Sequence, residues 1–453
     1  MFDYRPGYHY MPPRNWMNDP NGLLQIDGLY HLFYQYNPNG DQWGDIHWGH
    51  AVSRDLVDWD TKPIAMNPLT AMGEVHCYSG CACKGKNGKP VFYYTSIGYE
   101  EDGRGCKAGA QQWIAYPGRN LDALVQTDKY AMFLEMHGGL HVEEWRDPFV
   151  IAYRDGFLMT LGCRLDGHGA CLLYTSGDGL TFTYHSILAE SDVGSDYTWE
   201  CPNFFPIGDK YVLLYSPCRA PQYIIGTLTD DLRFVPEARG VLDASGWEGF
   251  YAPQSFVDDH GRRIVLGWMT DASRGGWKGI KGWSGSQSLP RIAFLENNRL
   301  KMQPLPALEQ LKTRVLQGAL PLADHQAGVQ YCLTVESRLD RGGCITVDVL
   351  CSPDQSEGTR IRVSEDGILE IVREKSSLFG TVHLTNLRRT FEAEGGRLTL
   401  DIYIDHSIVE VCANGEWIST QVYPSREDST GLSIGTQNAH GRYQLFQMRN
   451  CRR

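Results

Sequence analysis

The amino-acid sequence predicts an all-β protein, a five-bladed β-propeller followed by a C-terminal β-sandwich. Three observations carry this prediction. A turn-and-strand unit recurs five times, no long helical periodicity lies between the copies, and residues 319–453 contain only strand signals. Repeated units of about four short strands are typical of propeller blades. With 453 residues, the chain is long enough for two domains with full cores.

The recurring unit is a polar turn with glycine followed by an apolar and aromatic strand. The turn glycines are Gly28, Gly88, Gly156, Gly208 and Gly261, at steps of 60, 68, 52 and 53 residues. Counting back eight or nine residues from each glycine reaches Asp19, Ser79, Asp147, Glu200 and Ala252. If each begins the innermost strand of its blade, all five face the central funnel at one level. Three acids from three blades then converge, and crowded like charges are typical of a functional site.

The stretch from Asn15 to Gly22 contains the first of these acids. Asp19 lies between Asn18 and Pro20. Because proline lacks an amide hydrogen and disfavours a helical residue before it, the carboxylate is held at the entry of a strand. For a single Asp-Pro pair, an ordinary turn is the simpler interpretation. The pair recurs as Asp147-Pro148, and this recurrence favours a functional site.

A short connection is predicted after the fifth unit. Leu308, Leu311 and Val315 recur with helical spacing, and Gly318 suits a C-terminal stop. These signals predict a linker helix, packed between the two domains, over residues 304–318.

The domain boundaries follow from these elements. We expect the propeller over residues 1–303, the linker helix over 304–318 and the β-sandwich over 319–453. In the last segment apolar residues alternate, and Asn414-Gly415 is a two-residue hairpin turn.

The composition restricts the partners of the protein. A formal net charge of −12 disfavours nucleic acid and anionic membrane surfaces, whereas neutral polar substrates remain open. No apolar run reaches the length of a membrane span, and no leader precedes the first motif, so we expect a cytoplasmic protein. The 24 tyrosines and 12 tryptophans fit a surface that stacks on sugars.

The thirteen cysteines are an odd number without the spacing of a disulfide framework. Their simplest interpretation is reduced core residues in a reducing compartment. His76, Cys77, Cys81 and Cys83 form the closest cluster but lack paired Cys-x-x-Cys spacing. We therefore expect no metal and no cofactor.

Several ordered motifs cover nearly the whole chain. They are Trp16-Met17-Asn18-Asp19-Pro20-Asn21-Gly22, Phe33-Tyr34-Gln35-Tyr36-Asn37-Pro38, Trp48-Gly49-His50-Ala51, Tyr78-Ser79-Gly80, Trp145-Arg146-Asp147-Pro148, Trp199-Glu200-Cys201-Pro202 and Asp401-Ile402-Tyr403-Ile404-Asp405-His406-Ser407. In these motifs the chain resembles glycoside hydrolase family 32, whose members cleave β-fructofuranosidic bonds. The family's propeller and sandwich agree with the fold derived above. The chain departs from the family at Tyr78, where phenylalanine is usual, and just before Leu289-Pro290-Arg291. These departures bear on the leaving-group side more than on the chemistry.

The resemblance implies a role for each acid. Asp19 corresponds to the nucleophile that forms a covalent fructosyl-enzyme, Glu200 to the general acid and base, and Asp147 to the residue that binds fructosyl hydroxyls. From the residues alone, we expect Arg146 to keep Asp147 ionised, whereas the choice of attacking group between Asp19 and Glu200 stays open. A retaining reaction further requires these two carboxyl groups to lie about 5 to 5.5 Å apart.

Around the acids we expect side chains that bind the sugar, from amides, aromatic rings, a serine and an arginine. They are Asn18, Gln35, Trp43, Tyr78, Ser79, Arg146, Trp16 and Trp283. Trp283 is expected to reach the leaving-group side, whereas Trp268 is expected in the core. His47 and His50 are interpreted as hydrogen-bonding residues.

The leading hypothesis is an exo-acting, retaining β-fructofuranosidase that takes a small or oligomeric fructoside. Three alternatives stay open. A fructosyltransferase shares every catalytic group, and an arabinan- or xylan-directed hydrolase also uses three funnel acids. A carbohydrate-binding propeller without catalytic activity needs none of these acids. The substrate stays open among sucrose, sucrose 6-phosphate and inulin-type or levan-type chains. Lys84, Lys86, Lys89, Arg104 and Lys107 are candidate phosphate ligands. We also expect a homodimer contact through the sandwich.

Overall fold

A computed structural model describes residues 2–98, 110–118, 121–132, 137–192, 197–271, 279–380, 382 and 384–452. It confirms the predicted fold class, a five-bladed propeller followed by a β-sandwich. Arg104 and Lys107 lie outside the described residues. Among the described residues, no helix is long and apolar enough to cross a membrane.

The first four blades are antiparallel sheets of four strands each, built in chain order. Blade 1 contains β1 (Asn15–Ile26), β2 (Leu29–Asn37), β3 (His47–Ser53) and β4 (Trp59–Met66). Blade 2 contains β5 (Glu74–Lys84), β6 (Pro90–Gly98), β7 (Gln111–Pro117) and β8 (Leu124–Met132). Blade 3 contains β9 (Val142–Tyr153), β10 (Gly156–Leu165), β11 (His168–Ser176) and β12 (Thr183–Glu190). Blade 4 contains β13 (Glu200–Ile207), β14 (Lys210–Ser216), β15 (Gln222–Leu228) and β16 (Phe234–Val241).

Blade 5 closes the ring. Its main strands are β17 (Phe250–Val257), β18 (Arg263–Met269), β21 (Arg291–Glu296) and β22 (Arg299–Pro304). Between them, β19 (Trp283–Ser284) pairs in parallel with β1, and β20 (Ser286–Gln287) pairs with β18. The segment 283–287 therefore hydrogen-bonds the last blade to the first.

The blades pack face to face through apolar side chains. One cluster joins Phe33 and Trp48 of blade 1 to Phe92 and Tyr94 of blade 2. Blades 3 and 4 meet in a similar cluster. Such aromatic and branched side chains fit a pleated sheet that is buried on both faces.

Each inner strand carries a bulge at the same height. Its register with the second strand shifts between Met17 and Pro20, Cys77 and Gly80, Arg146 and Phe149, Glu200 and Asn203, and Tyr251 and Gln254. A bulge inserts residues that do not pair with the neighbouring strand and re-aims their side chains. By this register Cys201 corresponds to Asp147, and Glu200 lies one residue ahead of the bulge. The single level predicted for the five funnel positions is therefore only approximate.

The second domain is one continuous sheet of ten strands folded into two layers. Its strands are β23 (Lys312–Ala319), β24 (Leu322–Gln326), β25 (Gln330–Cys351), β26 (Thr359–Ser364), β27 (Ile368–Val372), β28 (Leu387–Thr390), β29 (Arg397–Asp405), β30 (Ile408–Ala413), β31 (Glu416–Gln421) and β32 (Gly431–Met448). The long strands β25 and β32 pair with each other and run through both layers. Their register shifts between Leu339 and Cys344, where the sheet turns from one layer to the other.

Helical structure among the described residues is limited to short 3-10 turns. They are Thr70–Met72, Gly246–Glu248, Pro306–Leu311 and Glu394–Gly396.

The predicted linker helix over 304–318 is wrong in its second half. A 3-10 helix spans Pro306–Leu311 and buries Leu308, as the pattern required. Residues from Lys312 onward instead form β23, which pairs with β32 at the end of the chain. Val315 lies at a register shift of this pair and is 53% exposed. Backbone pairing with the distant strand β32 outweighs the weak local helical pattern of this segment.

The two domains meet through a buried ionic cluster. The fully buried guanidinium of Arg291 in blade 5 contacts Asp243, 2.9 Å away, and Glu410 of the sandwich, 3.2 Å away. The residues before β1 are tied to the sandwich as well, because the backbone amides of Gly7, Tyr8 and His9 donate to the Asp405 carboxylate. These contacts fix the sandwich against the side of the propeller.

Candidate active site

The inner strands surround a cavity of about 590 Å³ at the propeller axis. Residues from all five blades line it, including the three predicted acids, Asp19, Asp147 and Glu200. The convergence expected from the repeat is therefore present in the structure.

Asp19 projects from the bulge of β1 and is held by four side chains. Its Oδ2 atom accepts hydrogen bonds from Ser79 at 2.6 Å and Gln35 at 3.3 Å, and the Cys201 thiol lies 3.5 Å away. Its Oδ1 atom accepts a single hydrogen bond, of 3.2 Å, from Asn18. The carboxylate is thus oriented mainly through Oδ2.

The surroundings of Asp19 oppose its ionisation. Burial, in the first place, together with the charges of Asp147 and Glu200, raises its pKa to about 7. The hydrogen bonds from Ser79 and Asn18 lower the pKa but do not offset the burial. Asp19 therefore changes charge close to neutral pH.

Asp147 lies at the bulge of β9 with a backbone φ of 63°, in the left-handed region. Its Oδ2 atom accepts a hydrogen bond of 2.9 Å from the backbone amide of Cys201, and the Cys201 thiol lies 3.5 Å from the same oxygen. That thiol thus sits between Asp147 and Asp19. Burial raises the pKa of Asp147 to about 6, although Arg146 lowers it.

Glu200 opens β13 and is held at both oxygens. Arg146 donates to Oε1 at 2.9 Å, and the Tyr251 hydroxyl donates to Oε2 at 2.5 Å. The Cys218 thiol lies 3.8 Å from Oε2. The carboxyl group is therefore fixed while it faces the cavity.

The Arg146 guanidinium bridges Glu144 at 2.8 Å and Glu200 at 2.9 Å. Its charge lowers the pKa of Asp147, as expected, but burial is the larger cause and raises that pKa to about 6.

Two protein-family models match this chain. The model described as glycosyl hydrolases family 32 N-terminal domain matches residues 9–304, and the model described as glycosyl hydrolases family 32 C terminal matches residues 306–449. The chain belongs to glycosyl hydrolase family 32. The family predicted from the ordered motifs is thereby confirmed, and this family 32 chain is a glycoside hydrolase.

Relatives of this family 32 hydrolase extend along most of its length. It is similar to a sucrose-6-phosphate hydrolase of Escherichia coli, 29% identical over 444 residues that cover 94% of this chain and 90% of the relative. An insoluble β-fructofuranosidase isoenzyme of Arabidopsis thaliana is 33% identical over 347 residues, covering 69% of this chain and 58% of the relative.

A solved structure has the same fold. Fructan 1-exohydrolase IIa from Cichorium intybus superposes with a TM-score of 0.85 at 24% sequence identity, over 99% of this chain and 98% of that chain. At this identity the likeness concerns the fold alone.

Most of the predicted sugar-binding residues of the family 32 chain lie around the cavity. Those that line it are Trp16, Asn18, Gln35, Trp43, Tyr78 and Arg146. Ser79 is buried beneath the floor and reaches the site through Asp19.

Trp283 does not lie where it was expected. It is 7% exposed and packs in the core on β19, so the structure does not bring it to the cavity. Trp268 of β18 is buried as expected, at 4% exposed, and its ring also lines the cavity, with its centroid 5.5 Å from that of Trp16.

Several site residues escaped the sequence analysis. Glu144, Tyr197, Trp247 and Tyr251 all line the cavity of the family 32 enzyme. The sequence held a signal for two of these residues. Tyr251 directly precedes the funnel residue Ala252, and Glu144 lies two residues before Arg146, on the same face of the strand.

The two histidines interpreted as hydrogen-bonding residues, His47 and His50, have protein partners. His50 is buried in blade 1 with Nε2 3.1 Å from Nδ1 of His31, and Nδ1 of His47 contacts the backbone oxygen of Asp45 at 2.5 Å. Over the part of the chain that the structure describes, no group of three metal-binding side chains is found.

Proposed function

We propose that this chain is an exo-acting, retaining β-fructofuranosidase that releases terminal fructose through a covalent fructosyl-enzyme. The observation that carries the proposal is the pair of carboxyl groups, Asp19 and Glu200, held in one cavity by different partners. Asp19 is the nucleophile, Glu200 the acid and base, and Asp147 the group that binds fructosyl hydroxyls.

In the first step an oxygen of Asp19 forms a bond to the anomeric carbon of the fructosyl group. Oδ1 is the better placed oxygen, because Oδ2 is engaged by Ser79 and Gln35. The bond from that carbon to the leaving oxygen breaks, and this oxygen takes the proton of Glu200. Arg146 and Tyr251 then hold the carboxylate that Glu200 has become.

In the second step water attacks the same carbon and transfers a proton to Glu200, and the bond to Asp19 breaks. The carbon bears positive charge in both transition states, and the adjacent Asp147 carboxylate stabilises it while it accepts hydrogen bonds from the sugar. The aromatic rings of Trp16, Trp43 and Tyr78 and the amides of Asn18 and Gln35 contact the bound fructosyl group.

The substrate is a β-fructofuranoside with a sugar leaving group. Support comes from the relatives, which are named as hydrolases of sucrose 6-phosphate and as β-fructofuranosidases. A cytoplasmic location is supported by the cysteines, since twelve of them in the described residues are free. A homodimer through the sandwich stays a prediction, which light scattering after gel filtration tests.

The proposal is tested by fructose release from sucrose, 1-kestose, a levan oligomer and sucrose 6-phosphate. The wild type is compared with Glu200→Gln and with Glu394→Gln, which changes an exposed glutamate of the sandwich. We expect release from at least one substrate, a loss of more than about a thousandfold in Glu200→Gln and no change in Glu394→Gln. No release by the wild type from any substrate would instead favour a carbohydrate-binding propeller, and oligomers formed at high sucrose would favour a fructosyltransferase.

A further inference from the structure

In the described part of the chain, the most exposed aromatic side chains line the funnel cavity. Among the described residues, the large apolar side chains with high exposure include three aromatic ones, Trp43, Tyr197 and Trp247, at 51%, 43% and 41%. All three line the funnel cavity. The other large exposed apolar side chains are aliphatic and lie elsewhere. Exposed rings with one polar edge are the surfaces on which sugar rings stack.

Trp247 is coupled to the acid Glu200 through one residue. It lies in the 3-10 turn before β17, and its ring stacks on Tyr251 with centroids 4.4 Å apart and planes 22° apart. The Tyr251 hydroxyl bonds Oε2 of Glu200. The edge of the Trp247 ring also packs against Trp268, at 5.6 Å, so the ring is fixed although one part of it is exposed.

Tyr197 is connected to the other oxygen of the same carboxyl group. Its hydroxyl donates to Oε1 of Glu144 at 3.2 Å, and Oε2 of Glu144 pairs with Arg146, which bonds Oε1 of Glu200. The Arg164 guanidinium lies 4.0 Å above one face of the Tyr197 ring. The Tyr197 ring is therefore held in place and connected to Oε1 of Glu200, whereas Trp247 is connected to Oε2.

We propose that Trp247 and Tyr197 form the contact surface for the leaving-group sugar and so select fructosides whose leaving group is a saccharide. The inference rests on the proposed function, in which Glu200 protonates the leaving oxygen. That oxygen must lie within hydrogen-bond distance of the Glu200 carboxyl group, so the ring attached to it lies beside the two residues that flank this group. Trp43 is assigned no part in this surface, because its ring contacts His76 and Tyr78 on the side of blade 2.

The two rings bind the apolar faces of a sugar and do not act on the anomeric carbon. Binding energy from this remote contact lowers the barrier only for substrates that carry a leaving-group ring. A fructoside with a methyl leaving group has nothing to stack, yet it needs the same nucleophile and the same acid. Sucrose and methyl β-D-fructofuranoside thus separate leaving-group contact from chemistry.

The test measures kcat/KM on both substrates for the wild type, Trp247→Leu, Trp247→Phe, Tyr197→Ala and Tyr197→Phe. Leucine keeps an apolar cover on Tyr251 without a flat ring, and Val235→Ala, at an exposed position of blade 4, is the control for surface change. We expect Trp247→Leu and Tyr197→Ala to lose about tenfold or more on sucrose and less than about threefold on methyl β-D-fructofuranoside. The phenylalanine variants should retain more activity on sucrose than the variants without a ring.

Two results would overturn the inference. Equal losses on both substrates in Trp247→Leu and Tyr197→Ala would mean that the rings act on Glu200 or on the fold, and unchanged sucrose activity would mean that they do not bind the leaving group. Failure of the proposed function looks different, because the wild type would then release fructose from neither substrate, nor from 1-kestose, the levan oligomer or sucrose 6-phosphate. Thermal midpoints of the variants identify any loss that comes from unfolding.

Discussion

Ser79 donates a hydrogen bond of 2.6 Å to Oδ2 of Asp19, so blade 2 supports the carboxylate that blade 1 carries. Ser79 is buried and does not line the cavity, which makes it a positioning residue for Asp19. The bond favours the ionised form of a carboxyl group whose pKa burial raises to about 7. Burial and the Ser79 hydrogen bond therefore act on the pKa of Asp19 in opposite directions.

Ser79→Ala moves the acidic limb of the pH profile to higher pH. Asp19 must be ionised to attack, so kcat/KM of the wild type on sucrose falls as pH drops below about 7. Loss of the Ser79 hydrogen bond raises the pKa further, which shifts the limb upward by about one pH unit. The profile is measured from pH 4 to 9, with Ser186→Ala on blade 3 as the control. An unshifted limb with a uniformly lower rate would contradict the role given to Ser79.

Asp19→Asn increases stability at neutral and alkaline pH while it abolishes activity. In the unfolded chain this carboxyl group ionises near its ordinary pKa of 3.8, but in the folded protein it keeps its proton up to about 7. Ionisation thus favours the unfolded state as pH rises through this window, and the penalty is complete above about 7. Asparagine does not ionise, so Asp19→Asn removes this penalty and raises the free energy of unfolding above pH 7 by about 1–3 kcal/mol.

The measurement is the thermal midpoint of Asp19→Asn, the wild type and the exposed-turn control Asp27→Asn, at pH 4 and pH 8. The difference between Asp19→Asn and the wild type should be near zero at pH 4 and positive at pH 8. A difference of the same size at both pH values would show that ionisation of Asp19 is not its cause.

Arg291→Met destabilises the whole protein because it removes the guanidinium that lies between two buried acids. Arg291, Asp243 and Glu410 are fully buried between the domains. Removing one member of a buried ionic cluster costs about 3–5 kcal/mol. The matched control is Arg360→Met, which breaks an exposed pair with Asp348 and should cost less than about 1 kcal/mol. Urea midpoints measure both, and equal midpoints for the two variants would contradict this account of the interface.

Tyr251→Phe slows the chemical step. The tyrosine hydroxyl bonds Oε2 of Glu200 at 2.5 Å and stabilises the carboxylate left after proton transfer. A hydrogen bond to a charged group is worth about 1.5–3 kcal/mol, so kcat on sucrose should fall about tenfold or more, with KM little changed. Tyr443→Phe on the sandwich is the control. A raised KM with normal kcat would assign Tyr251 to binding alone.

Much of the fold and the three acids could be predicted because they depend on periodicity. The repeat of turn glycines places Asp19, Asp147 and Glu200 at or beside the bulges of their inner strands, although the strand register separates Asp19 from Asp147 by one position and Asp147 from Glu200 by one more. Alternating residues after position 319 likewise identify the sandwich strands. The half of the linker that became β23 could not be predicted, because its partner β32 lies more than a hundred residues away and its pairing is a tertiary effect.

The contacts within the site depend on bulges that the sequence does not reveal. The Arg146 guanidinium pairs with Glu200 of the next blade, and no local pattern around Arg146 indicates that partner. Trp283 was misplaced for a related reason, since a strand pattern gives the alternation of faces but not which face a neighbouring blade covers.

The measurement that tests the central claim most directly is the anomeric configuration of the first product when sucrose, or whichever fructoside is cleaved, reacts in aqueous methanol. Attack by Asp19 followed by methanol inverts the anomeric carbon twice, so NMR should find methyl β-D-fructofuranoside. This result also requires the carboxyl groups of Asp19 and Glu200 to lie at the short separation of retaining enzymes. Formation of the α anomer would mean a single displacement by water or methanol and would contradict the covalent intermediate on Asp19.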